Sequence, residues 1–116
     1  MTDGMRLGHV LLPVADLEAA LAFYRDVLGL TVKFQDGDRY AALDGRGGST
    51  IALAALSEQP VAGLPALGLK VSDVAGTAAA LRAAGAPVGE VTEGGHERRA
   101  VLRDPDGNVL VVYGPS

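Results

Sequence analysis

HVLLPVADLEAALAFYRDVLGL, residues His9–Leu30, lays out a strand followed by a helix. The strand is the apolar run Leu7–Val14. In it Val10, Leu12 and Val14 share one parity and His9, Leu11 and Pro13 the other, the period of two that gives a strand two distinct faces. Asp16 follows as a helix N-cap, and Glu18 in the first turn suits the positive end of the helix dipole. Leu17, Ala20, Leu21, Tyr24 and Leu28 recur at helical spacing, and Gly29 supplies the stop.

Working outward, three strand-like stretches come next: Thr31–Gln35, Arg39–Leu43 and Ser49–Leu56. Asp36-Gly37-Asp38 and Asp44-Gly45-Arg46-Gly47-Gly48 are the turns between them. The pattern then starts again. Pro65–Val71 is an apolar run, and Asp73 caps a stripe of Val74, Thr77, Ala78, Leu81 and Ala84 that Gly85 ends. Strands are expected at Val88–Val91, Arg98–Arg103 and Val109–Tyr113, the last two joined by the turn Asp104-Pro105-Asp106-Gly107. His9 falls on Ala66, Val14 on Val71, Asp16 on Asp73 and Gly29 on Gly85. The chain is thus an internal repeat. It predicts an α+β fold of two tandem βαβββ modules: one domain over residues 1–116, with module 1 at about 1–56, a linker at 57–64 and module 2 at about 65–116. One such module exposes a sheet face that it cannot bury alone. Two can curl around a shared concavity, giving an eight-stranded, cleft-bearing assembly.

Composition narrows the function. The chain has 116 residues, 48% of them hydrophobic and 21% charged, values of a globular domain. A net charge of −4 argues against nucleic acid as partner, because such binding draws on a basic face. There is no cysteine, so disulfides, thiolate metal sites and a cysteine nucleophile are excluded. No apolar run is long enough to span a membrane, and Met1–Leu7 does not read as a signal peptide, so a cytoplasmic location and no membrane partner are expected. No phosphate loop and no G-x-S-x-G elbow occurs.

The opening stretch, with its His-x-x-x-x-Val-x-Asp-Leu pattern and the Phe23-Tyr24 pair before Leu28-Gly29, is followed late in the chain by RDPDGNVLVVYG (Arg103–Gly114). Together these resemble the vicinal oxygen chelate superfamily, which includes glyoxalase I, extradiol dioxygenases, methylmalonyl-CoA epimerase and bleomycin-binding proteins. The resemblance covers nearly the whole chain and implies a glyoxalase-like fold. Metal enzymes of that superfamily place four ligands on the inner faces of four strands. Carried over, those positions fall on His9, Ala52, Ala66 and Val111. His9 alone bears a usual donor, so no metal and no cofactor is expected. His96, beside Glu97, reads as part of a loop or strand start.

On the parity shared with His9 the strands offer small and apolar residues: Ala52, Ala54, Ala66, Gly68, Val109 and Val111. Polar candidates for ligand binding around them are His9, Tyr40, Thr50, Lys70, Arg99 and Tyr113. His9 reads either as a structural residue or as a ligand-contacting or acid/base group, since its pKa suits both roles. Lys70 either points inward near its strand end or snorkels outward. One of Arg98 and Arg99 must face each way. If Arg99 faces inward it can receive a carboxylate or phosphate. Catalytic residues cannot be assigned.

Three functions follow from these residues. One is a metal-free small-molecule binding protein resembling the bleomycin-resistance type. The acidic charge suits the cationic drugs of that type, although the scarcity of aromatic residues argues against a stacking site. Another is a glyoxalase-like lyase, dioxygenase or isomerase with a relocated metal site or with His9 as acid/base. The last is a regulatory domain whose cavity is filled. A homodimer is expected, because sheet edges and apolar surface are left over and a closed two-fold interface is the commonest remedy.

Overall fold

Asp16 and Asp73 start the two helices as their sequence positions predict. In a computed structural model that describes residues 4–95 and 97–115, the Asp16 carboxylate accepts from Ala19 N at 3.2 Å, and Asp73 accepts from Gly76 N at 3.0 Å. Each side chain thereby satisfies one of the amides that a helix start leaves unpaired.

Among the described residues, eight strands and two α-helices make an α+β fold of the glyoxalase-like kind. The first half runs β1 (Arg6–Pro13), α1 (Leu17–Leu21), β2 (Thr31–Asp36), β3 (Tyr40–Arg46) and β4 (Ser49–Ala54). The second runs β5 (Ala66–Lys70), α2 (Val74–Ala83), β6 (Thr92–Glu93), β7 (Glu97–Arg103) and β8 (Val109–Pro115). Strand order within the first half is β2-β3-β4-β1 and within the second β5-β8-β7-β6. In each half the first and last strands pair in parallel, across the helical connection that a parallel pair requires, and the remaining pairs are antiparallel. The described residues divide into two compact units, one spanning His9–Pro65 and one that joins Gly4–Gly8 to those from Ala66 onward.

Each helix covers one face of its own strands. In the first half Leu17 and Leu21 pack with Ala41, Leu43 and Leu53, flanked by Leu12, Val32 and Ile51. In the second half Ala78 packs with Ala100 and Val112, flanked by Leu69, Leu81 and Leu102. Leu21, Leu43, Leu53, Val74 and Val112 are fully buried, each worth roughly 1.5–3 kcal/mol relative to exposure.

Three expectations need correction. The helix predicted through Leu28 keeps α geometry only to Leu21 and continues as a π-helix over Ala22–Val27, with Leu28 N bonded to Phe23 O at 2.9 Å. The wider turn carries the later positions off the α-helical stripe, so Leu28 is 53% exposed while Tyr24 still reaches the core. The strand expected at Val88–Val91 is irregular, and pairing with β7 begins instead at Thr92–Glu93. Pro87 brings no amide donor. The Arg82 guanidinium takes the carbonyls of Val88 and Gly89 at 3.3 and 2.6 Å. Val88 and Val91 pack on the helix-side core, so their apolar signal marked burial and not strand pairing. The strand expected to reach Leu56 ends at Ala54, and Leu56–Glu58 form a 3-10 turn.

Candidate functional site

The faces turned away from the helices carry the six polar candidates, three in each half. In the first half, register places Phe34, Ala42, Ala52 and Leu11 across from one another. A second row holds Asp36, Tyr40, Ala54 and Pro13, and a third Thr31, Asp44 and Thr50. Cross-strand partners share a face, and His9 has the parity of Leu11. Hence His9, Tyr40 and Thr50 lie on one face around Ala42, Ala52 and Ala54, all three of them buried. Phe34 leans on Tyr40 with ring centroids 6.3 Å apart.

Burial holds the His9 imidazole below its ordinary pKa of 6.5, because removing a charged ring from water is unfavourable. The ring is neutral at neutral pH, with one nitrogen to donate and one to accept. Lys33 joins this face, donating from Nζ to Thr50 Oγ1 at 2.6 Å. It sits at a register shift between Val32 and Phe34, a bulge that strict alternation along the sequence did not show.

In the second half Lys70 lies across from Tyr113, Tyr113 from Arg99, and Arg99 from Thr92. Gly68, Val111 and Val101 form the next row, and Ala66, Val109 and Arg103 the one after. Lys70, Tyr113 and Arg99 are thus consecutive neighbours on three strands. Arg98 takes the opposite face, as alternation requires, and pairs with Glu93. Tyr113 is held from beneath by Gly8: a Cβ built on Gly8 falls 1.8 Å from the tyrosine Oη. Only a residue without a side chain lets the phenol rest there. Burial and the nearby Glu97 push the Tyr113 pKa above its ordinary value, with Arg6 pulling the other way. The phenol therefore keeps its proton at neutral pH. Gly8, Arg6 and Lys33 were not singled out in the sequence, and Glu97 only as the neighbour of His96. Gly8 and Arg6 share one strand parity, which was the available signal.

The two rows are equivalent. Val14 N bonds Ala54 O at 2.9 Å in the first half, and Val71 N bonds Tyr113 O at 2.9 Å in the second. Through this shared bond Pro13, Ala54 and Tyr40 correspond to Lys70, Tyr113 and Arg99.

The positions where the resembling metal enzymes carry ligands are His9 and Ala52 in the first half, and Ala66 and Val111 in the second. Ala52, Ala66 and Val111 are buried and offer no electron pair from a side chain. This residue set does not fit a divalent ion, which several convergent imidazole or carboxylate donors hold. Among the described residues no three of His, Cys, Asp and Glu gather into a group able to hold one. His96 lies outside the described residues, and Glu97 opens β7. No helix among the described residues is long and apolar enough to cross a membrane.

The sequence profile of the Glyoxalase/Bleomycin resistance protein/Dioxygenase superfamily matches residues 6–112. An uncharacterised protein of Mycolicibacterium smegmatis is 41% identical over 110 residues, covering 91% of this chain and 90% of its own length. Among solved structures, methylmalonyl-CoA epimerase from Mycobacterium tuberculosis superposes with a TM-score of 0.74 at 24% identity, covering 95% of this chain and 87% of that one. A protein from Legionella pneumophila described as an NAD-dependent benzaldehyde dehydrogenase gives 0.81 at 20% identity, covering 92% and 97%. These structural likenesses establish the fold, which hosts unrelated chemistries, and leave function to the residues of the site.

Proposed function

We propose that this chain, which belongs to the Glyoxalase/Bleomycin resistance protein/Dioxygenase superfamily, is a small-molecule binding protein that lacks the superfamily's usual metal site. The observation that carries this is the loss of donors at Ala52, Ala66 and Val111, which leaves the His9 imidazole as the one donor of that set. One imidazole with water does not compete for metal against buffers that offer several preorganised ligands. The faces that remain combine small buried residues with polar groups around them, the composition of a pocket that selects ligands by shape and a few hydrogen bonds.

Calorimetric titration of the metal-stripped protein with nickel or zinc tests the proposal. The expected result is no tight one-to-one binding. Tight binding that disappears in His9→Ala would overturn it.

A second function is supported by the burial of His9. A neutral imidazole can take up a proton from a bound molecule, and His9 would then serve as acid/base in a metal-independent lyase or isomerase. An active small-molecule assay that His9→Ala abolishes, with ligand affinity retained, would favour this over binding alone.

The binding protein is also proposed to be a homodimer. Phe23, Val27, Leu28 and Leu56 are exposed at 51–71%, and β2 and β6 end their strand orders, so apolar surface and sheet edges remain for a second copy to cover. Light scattering at tens of micromolar should give the mass of two chains, and a monomer mass would contradict it.

A further inference from the structure

Two of the second half's cations stand on one face, on either side of a tyrosine. Lys70, Tyr113 and Arg99 stand side by side on β5, β8 and β7. Cross-strand partners share a face of the sheet, so the three side chains rise from adjacent positions of one face. Arg6 shares the strand parity of Gly8, the residue on which the tyrosine hydroxyl rests. Arg6 and the Glu97 carboxylate both act on this phenol, with opposite sign. The equivalent row of the first half, Pro13, Ala54 and Tyr40, contains no cation.

We infer that Lys70, Arg99 and Tyr113 form an oxyanion-binding row that takes the carboxylate or phosphate group of the protein's small ligand. The inference rests on the small-molecule binding function proposed above and adds the chemical class of the ligand. An ammonium offers three donors and a guanidinium five. Arg99 supplies the planar fork that matches two oxygens, Lys70 a point charge on a flexible stem, and Tyr113 a directional hydroxyl. Gly8 fixes where that hydroxyl stands. The net charge of −4 suits a cationic ligand at long range, whereas this row selects an anionic group at contact. The ligand's charged end is therefore negative even if the rest of it is not.

Phosphate and carboxylate share the chemistry of an oxyanion with several acceptor lone pairs, and titration separates them. The whole chain, labelled with nitrogen-15, is titrated with inorganic phosphate and, in a second arm, with acetate, at constant ionic strength and with chelator present. The expected result is saturable movement of the Lys70, Arg99 and Tyr113 amide signals in at least one arm. The tighter arm then names the group. Arg99→Gln should weaken that binding about tenfold, as loss of a charge-assisted bidentate contact does, and the exposed Lys70→Gln about threefold. Lys70→Gln keeps the test decisive if Arg99→Gln fails to fold. Failure of both anions to saturate, saturation centred elsewhere, or unchanged affinity in Lys70→Gln would overturn the inference. Tight zinc binding through His9 would overturn the metal-free proposal and leave this test standing. The two can therefore fail separately.

Discussion

The row Pro13, Ala54, Tyr40 in the first half and the row Lys70, Tyr113, Arg99 in the second are held by the same backbone pattern, yet they carry opposite chemistry. In the first, Ala54 is fully buried and flanked by a proline. In the second, a half-buried tyrosine stands between two cations. The helix-covered faces differ far less: leucine, valine and alanine recur in both. A repeat of this kind separates two tasks. Core packing and register sustain the fold on one face of each half, and residues on the other face are free to change without disturbing the strands.

The sharpest break between the halves is at Gly114, whose first-half equivalent is Ala55. A Cβ on Gly114 falls 2.1 Å from the carbonyl oxygen of Val71 and 3.3 Å from Val74 Cγ2. Backbone cannot yield as a flexible side chain can, so Gly114→Ala should destabilise the protein by about 3 kcal/mol. Ala55 occupies ordinary extended backbone, φ −68° and ψ 169°, and Ala55→Gly should cost about 0.5–1 kcal/mol, mostly entropy of the unfolded chain. Denaturant melts of the two variants measure the contrast. Equal effects would mean that the second half is no more tightly closed than the first.

A smaller cost is expected at Gly8, where the obstruction is the end of a side chain. Gly8→Ala should displace the Tyr113 ring and lower stability by about 1–2 kcal/mol. In a Tyr113→Ala background the same change should be close to neutral. A double-mutant cycle of thermal melts gives the coupling. No coupling would place Tyr113 elsewhere than over Gly8.

The smallest expected effect belongs to His9. Its pKa is lowered on folding by burial, so the unfolded chain binds the proton more readily than the folded one. Its contribution is fully present above the unfolded value of about 6.5 and is lost as pH falls below that toward the lowered folded value. Urea melts between pH 7.5 and 5 should show this decline, and His9→Gln should flatten it. A decline of the same size in the variant would assign it to other groups.

The repeat and the caps at Asp16 and Asp73 were legible in the sequence. Each depends on a local period or on a side chain within three residues. What was not legible depends on partners distant in sequence or on small changes of backbone period. The π-helix at Ala22–Val27 preserves the apolar composition of an α-helix while shifting its phase. Val88–Val91 has the residues of a strand, but Arg82 takes two of its carbonyls. The bulge at Lys33 brings its ammonium to Thr50 across an intervening strand. Gly8 is silent until the Tyr113 hydroxyl is placed against it. The direction of Arg99 was one of two alternatives in the sequence, and its pairing across from Tyr113 decided between them.

The central contrast is that the first half keeps a single imidazole where the second keeps no donor at all, His9 against Ala66, with Ala52 and Val111 equally bare. The metal content of the protein as purified, without chelator and without affinity-tag residues, measures its consequence directly. Plasma mass spectrometry across nickel, zinc, iron and manganese should find only background. One equivalent of any of these metals per chain, lost in His9→Ala, would contradict the account.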